Sequence, residues 1–186
     1  MKLTQFLKPW ESPFMQKRME AVKQIRDPAL LLEIALTSAH QEVRSAAIRQ
    51  ITDKGVLKEV YRRSRDSSVR MAAVERITDE KFLAGSPLRD SDPAIRIVAV
   101  GQISDEKILS GIPLCDADPM VRIAAVGRIA DEKILSGIAI TDSDDRVRTA
   151  AFVRIKNPAN RNKIAKDYRR LQKQTDRLRK TPSGNS

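Results

Sequence analysis

Apolar and polar positions along this chain repeat with a period of 26 residues. The pairs Val43-Arg44, Val69-Arg70, Ile95-Arg96, Val121-Arg122 and Val147-Arg148 lie one period apart without drift. Small apolar residues follow each pair in the same register: Ala46-Ala47-Ile48, Ala72-Ala73-Val74, Val98-Ala99-Val100, Ala124-Ala125-Val126 and Ala150-Ala151-Phe152. An isoleucine closes each block, at Ile51, Ile77, Ile103, Ile129 and Ile155. Within a block such as Val69, Ala73, Val74 and Ile77 the spacing is four, one and three, the stripe of a helix with one buried face. A period of this length marks stacked supersecondary units.

In the register used here, repeats begin at Ser12, Ser38, Ser64, Asp90, Asp116 and Asp142. Each predicts two helical segments. The first opens on an acidic cap, Asp66, Asp92, Asp118 or Asp144, with proline at the first helical position after Asp92 and Asp118. The second opens on Asp79-Glu80-Lys81, Asp105-Glu106-Lys107 or Asp131-Glu132-Lys133, is anchored by Leu83, Leu109 and Leu135, and is expected to stop at Gly85, Gly111 and Gly137 after about one turn. The first two blocks lack that glycine, so longer helices are expected over Pro28–Thr37 and Val56–Arg63. A long helix beside a short segment makes a wedge, and stacked wedges curve, with the short segments on the concave side.

The Asp-Pro-x-x-Val-Arg-x-Ala-Ala-Val core resembles the HEAT-like repeat superfamily over about residues 12–155. The short second segment resembles compact variants such as the leucine-rich repeat variant. The resemblance implies an all-α fold, a right-handed alpha solenoid of short HEAT-like repeats, and a scaffold for other macromolecules. One form of that variant carries an iron–sulfur cluster on several cysteines; Cys115 is the only cysteine here, and no cofactor is expected. The expected organisation is an N-terminal hydrophobic cap over 1–11 (Leu3, Phe6, Leu7, Trp10), the repeats over 12–157, a basic C-terminal helix over 158–180, and a disordered tail over 181–186.

Composition sharpens the picture in two places. Aromatics are 4% of the chain, so the core must be built from Ala, Val, Ile and Leu. The formal net charge of +11 is uneven: the last 31 residues hold ten of the 35 Lys/Arg and only two acids. No apolar run approaches the roughly 18–20 residues of a membrane span, and the first nine residues are too short and polar for a secretory signal, so a cytoplasmic location and no membrane partner are expected.

The arginine ladder Arg18, Arg44, Arg70, Arg96, Arg122 and Arg148 reads as structural, each fork bridging carboxylates or carbonyls of an adjacent unit. His40, at a helix-cap slot, has no neighbouring nucleophile or oriented partner, and the Asp-Glu pairs have capping work, so no catalytic or metal site is expected and the chain is read as no enzyme. The expected protein-partner surface is the concave face, with Lys54, Lys58, Tyr61, Arg62, Arg63, Lys81, Lys107 and Lys133. It is graded: residues 38–63 carry six Lys/Arg and three acids, residues 90–115 two and four. The second reading is nucleic-acid binding by the basic early repeats and tail, where Arg169, Arg170, Lys173, Arg177, Arg179 and Lys180 would meet a polyanion. Some HEAT-like proteins, the alkylpurine DNA glycosylases, grip DNA in a basic groove. The acidic middle repeats argue against a continuous groove of that kind here.

Overall fold

The computed structural model describes residues 8–180, with the side chains of 113–114 and 171–180 outside that description. The described residues are all-α and contain no strand, and none of their helices is long and apolar enough to cross a membrane. Of the expected N-terminal cap, Leu3, Phe6 and Leu7 lie outside the described residues, as does the tail expected over 181–186; Trp10 sits in a 3-10 turn, Pro9–Glu11.

The chain divides into two compact units, Met1–Gln102 and Ile103–Ser186. The first holds α1 (Met15–Gln24), α2 (Pro28–Thr37), α3 (Gln41–Gln50), α4 (Lys54–Arg63), α5 (Ser67–Val74), α6 (Glu80–Leu83) and α7 (Pro93–Gln102). Here α1 packs on α3, α3 on α5 and α5 on α7, while α2 lies against α3 and α4. The second holds α8 (Glu106–Cys115), α9 (Pro119–Val126), α10 (Glu132–Thr141), α11 (Asp145–Arg154) and α12 (Pro158–Lys180). In it α9 packs on α11, α8 on α9, and α10 on both α11 and α12.

Helix starts follow the acidic caps. Asp27, Asp53, Asp79, Asp105 and Asp131 accept from backbone N–H groups in the first turns of α2, α4, α6, α8 and α10. Asp66, Asp118 and Asp144 do the same for α5, α9 and α11. The periodic stripe is the core: Val43, Val69, Ile95, Val121 and Val147, with Ile51, Ile77, Ile103, Ile129 and Ile155, are all buried. A leucine on each second helix joins it, at Leu31, Leu57, Leu83, Leu109 and Leu135.

The second segments depart from expectation. Only α6 is short: Gly85 follows its end, and a 3-10 turn, Pro87–Arg89, completes the repeat. Gly111 and Gly137 do not stop their helices; α8 and α10 run ten residues straight through them. The residue after each glycine decides this. Ile112 and Ile138 are buried and hold the next turn on the core, whereas Ser86 in the same place is exposed and contributes no such anchor before Pro87. No described glycine has a positive φ, so none acts as a left-handed cap, and the expected wedge of long and short segments is confined to the repeat containing α6.

The ladder arginines are internal struts. Arg18, Arg44, Arg70, Arg96, Arg122 and Arg148 each donate to the carbonyl six residues back, at Ser12, Ser38, Ser64, Asp90, Asp116 and Asp142. Arg70 and Arg122 also grip Asp90 and Asp142, twenty residues on. A second ladder, passed over in the sequence, precedes each closing isoleucine. Gln50, Arg76 and Gln102 donate to the carbonyls of Val22, Ile48 and Val74 in the first unit, and Arg128 and Arg154 to those of Ile103 and Ile129 in the second. Its signal was present as a Gln or Arg every 26 residues from Gln24 to Arg154.

Candidate interaction surface

The helix α4 presents the densest set of the expected partner residues. Its Leu57, Val60 and Tyr61 are buried, which turns Lys54, Lys58 and Arg62, spaced four apart, along another face. Lys54, Arg62 and Arg63 are exposed. Lys58 reaches Asp79 at 2.5 Å, and the ammonium beside Asp79, with the Phe82 backbone N–H, holds that carboxyl below its usual range although burial opposes this. Arg63 stands 3.7 Å from Glu59.

Tyr61 is placed differently from the expectation. It lies in the interior, 6% exposed, and its hydroxyl donates to Asp90 at 3.0 Å. Burial pushes its phenol up, and the bond to Asp90 adds to the effect. The period explains the placement: one repeat either side, the same position holds Ala35 and Pro87, both buried. The Tyr61 ring meets Phe82 edge-on, with centroids 5.7 Å apart.

Phe82 is the functional candidate that sequence reasoning missed. Lys58 Nζ lies 5.4 Å and the Arg62 guanidinium 5.2 Å from its ring centroid. Half-buried and flanked by two cations, the ring adds an apolar contact to a basic helix face. A signal existed here too, since Phe82 stands where Ile108 and Ile134 stand in the following repeats. Lys81 is exposed on α6 in this unit.

In the second unit Lys107 and Lys133 are exposed on the first turns of α8 and α10. The acids before them serve the fold: Glu106 accepts from the N–H groups of Ala130 and Asp131, and Glu132 from those of Lys156 and Asn157. The Asn160 amide donates to the other oxygen of Glu132 at 2.7 Å, which lowers that carboxyl's pKa and ties the start of α12 to α10. Ile164 is buried, and Tyr168 is half-buried with the Arg148 guanidinium 5.8 Å from its ring. At about 1.5 Å per residue, the 23 residues of α12 run about 35 Å and the ten of α10 about 15 Å, so α10 flanks less than half of α12. Lys163, Lys166, Arg169 and Arg170 are exposed. Lys173, Arg177, Arg179 and Lys180 fall on the helix, but their side chains lie outside the described set.

His40 Nε2 stands 3.7 Å from Glu11, with no side-chain capping bond on α3, and Cys115 is exposed with its thiol on the Gly111 carbonyl. Among the described residues no group of three or more His, Cys, Asp or Glu could hold a metal ion. What these elements present is cations, one flanked aromatic ring, and a long basic helix. Comparison with family models, curated proteins and solved structures gives no match.

Proposed function

We propose that this chain is a non-enzymatic interaction scaffold, a right-handed solenoid of short HEAT-like repeats that binds a protein partner through the concave face formed by its second helices. One observation carries this reading. The ladder arginines each hold a carbonyl of their own repeat, whereas α4 keeps Lys54, Lys58 and Arg62 along one face, with Lys58 and Arg62 beside Phe82. Aromatic and arginine contacts dominate the energetics of protein interfaces, and charge complementarity steers an acidic partner to such a face. Affinity purification from a native lysate tests the proposal, comparing wild type with a Lys54→Glu/Arg62→Glu variant. A discrete protein enriched by the wild type and lost with the variant is the expected result. Equal recovery with both proteins rejects α4 as the binding face.

A second reading, nucleic-acid binding, is favoured by one feature, the exposed cations Lys163, Lys166, Arg169 and Arg170 on α12, in a stretch over 163–170 whose single acid is Asp167. Binding of a 20-base-pair duplex that falls linearly in log salt, and is lost when Lys163, Lys166, Arg169 and Arg170 are replaced by glutamate, would establish it.

A further inference from the structure

The residue that opens each repeat changes from serine (Ser12, Ser38, Ser64) to aspartate (Asp90, Asp116, Asp142), and the ladder arginines respond. Arg70 sets Nε and Nη2 on the two oxygens of Asp90 at 2.9 and 3.0 Å. Arg122 does the same on Asp142 at 3.0 and 2.9 Å. Arg18 and Arg44 meet Ser38 and Ser64 at the corresponding positions, and their Nε groups are buried with no hydrogen-bond partner. Arg44 turns Nη2 instead to Asp66 at 2.9 Å, a carboxylate that is 42% exposed.

The grooves beside these junctions form an internal comparison. The one at Arg122 is lined by one arginine and two aspartates, Asp116 and Asp142. The one at Arg44 is lined by three arginines, Arg44, Arg63 and Arg65, and one aspartate, Asp66, with the apolar side chains of Leu36 and Val69. Arg63 and Arg65 are both exposed. Arg18 shares the unpartnered Nε, but the residues corresponding to Arg63 and Arg65 in its repeat are Thr37 and Ala39. Only the Arg44 junction combines a serine in place of the aspartate with two additional guanidinium groups.

We propose that the Arg44–Arg63–Arg65 groove receives an aspartate or glutamate side chain of the protein partner, an inference that rests on the protein-binding reading above. The same guanidinium edge already takes a carboxylate at Arg70 and Arg122, so the chemistry is one this fold uses elsewhere. The Nε of Arg44 is closed to solvent, so the incoming carboxylate meets Arg63 and Arg65 first and competes with Asp66 for the outer edge of Arg44. Half-buried Leu36 suits the methylenes of a peptide side chain rather than a sugar-phosphate backbone.

Ser64→Asp tests this directly. Ser64 Oγ accepts from the Asp66 N–H just as Asp90 Oδ1 accepts from Asp92, so the substitution keeps the local turn and supplies the groove with its own carboxylate. In fluorescence anisotropy with a labelled hexaglutamate peptide and the full chain, Ser64→Asp is expected to raise the melting temperature and weaken peptide binding about tenfold or more. Arg63→Ala/Arg65→Ala should weaken binding similarly with little change in melting temperature. If wild type and Ser64→Asp bind the peptide equally, the groove is overturned; loss with Lys54→Glu/Arg62→Glu would then keep the protein-binding reading on α4. If the peptide does not bind but a 20-base-pair duplex does, and Ser64→Asp weakens the duplex, the groove takes phosphate and both the carboxylate proposal and the protein reading fall. Binding of neither probe at low salt overturns the proposal.

Discussion

At the scale of single residues, two kinds of ion pair share one ladder and differ in weight. The Arg122 and Asp142 side chains are 9% and 4% exposed, and their forked bond has little solvent around it. Asp142→Ala leaves a buried guanidinium without its carboxylate and should cost about 3–5 kcal/mol, read as a lowered urea midpoint. Asp66→Ala removes a partly exposed pair and a cap on α5, and about 1 kcal/mol is expected. Asp90 supplies a pH dependence. Burial raises its pKa, but the Arg70 fork, the Asp92 N–H and the Tyr61 hydroxyl together outweigh burial and hold it below the usual carboxylate range. A depressed folded-state pKa contributes stability that is complete above the unfolded value and disappears as pH falls through the folded one. Stability from this group should be flat from pH 8 to 5 and decline below about pH 4, and Asp90→Asn should flatten that decline in urea titrations. The ladder was legible in the sequence because Arg sits at one fixed place beside a buried Val or Ile. Its partners were not, because which acid it reaches depends on how the next repeat packs. Tyr61 shows a signal unread: comparison with Ala35 and Pro87 one period away marks its position as interior.

Among the elements, starts were easier to read than ends. Asp27-Pro28 sets the start of α2, and its bounds match the expected Pro28–Thr37; α4 begins at Lys54, two residues before the expected Val56. The glycines misled because a glycine ends a helix only when the following turn has nothing to hold it. Gly111 and Gly137 are interior to α8 and α10, and a methyl group on either meets nothing within 4 Å. Gly111→Ala and Gly137→Ala should therefore each stabilise by about 0.5–1 kcal/mol, measured by chemical denaturation. At Gly85 the same methyl would lie 3.2 Å from the Phe82 carbonyl, so Gly85→Ala should bring no such gain. The helix α12 was legible in the sequence as a basic C-terminal helix over 158–180. The way α12 is fastened was not, because Glu132 and Asn160 lie 28 residues apart and neither belongs to the apolar pattern.

For the molecule as a whole, the sequence made the period and the all-helical class legible, while the occupant of its surface is not encoded in the period. The functional proposals accordingly rest on places where one repeat differs from its neighbours: Phe82 where the following repeats have isoleucine, and Ser64 flanked by Arg63 and Arg65 where Ser38 is flanked by Thr37 and Ala39. The long-range side-chain bonds have a further consequence. Those of the ladders reach between about 20 and 28 residues, whether forward from Arg70 to Asp90 or back from Arg76 to Ile48. Each link therefore spans about one repeat, and what it recognises is a position in the register rather than a unique place in the chain. Such a protein tolerates changes of length in a quantised way. Excising residues 106–131 joins Asp105 to Glu132-Lys133, which restores the Asp-Glu-Lys sequence found at Asp105-Glu106-Lys107. That shortened chain is expected to melt cooperatively, while a chain lacking 106–130, one residue out of phase, is expected to lose cooperative melting in the second unit. The 26-residue period then acts as a reading frame for tertiary structure, open to growth or loss in whole frames and closed to fractions of one.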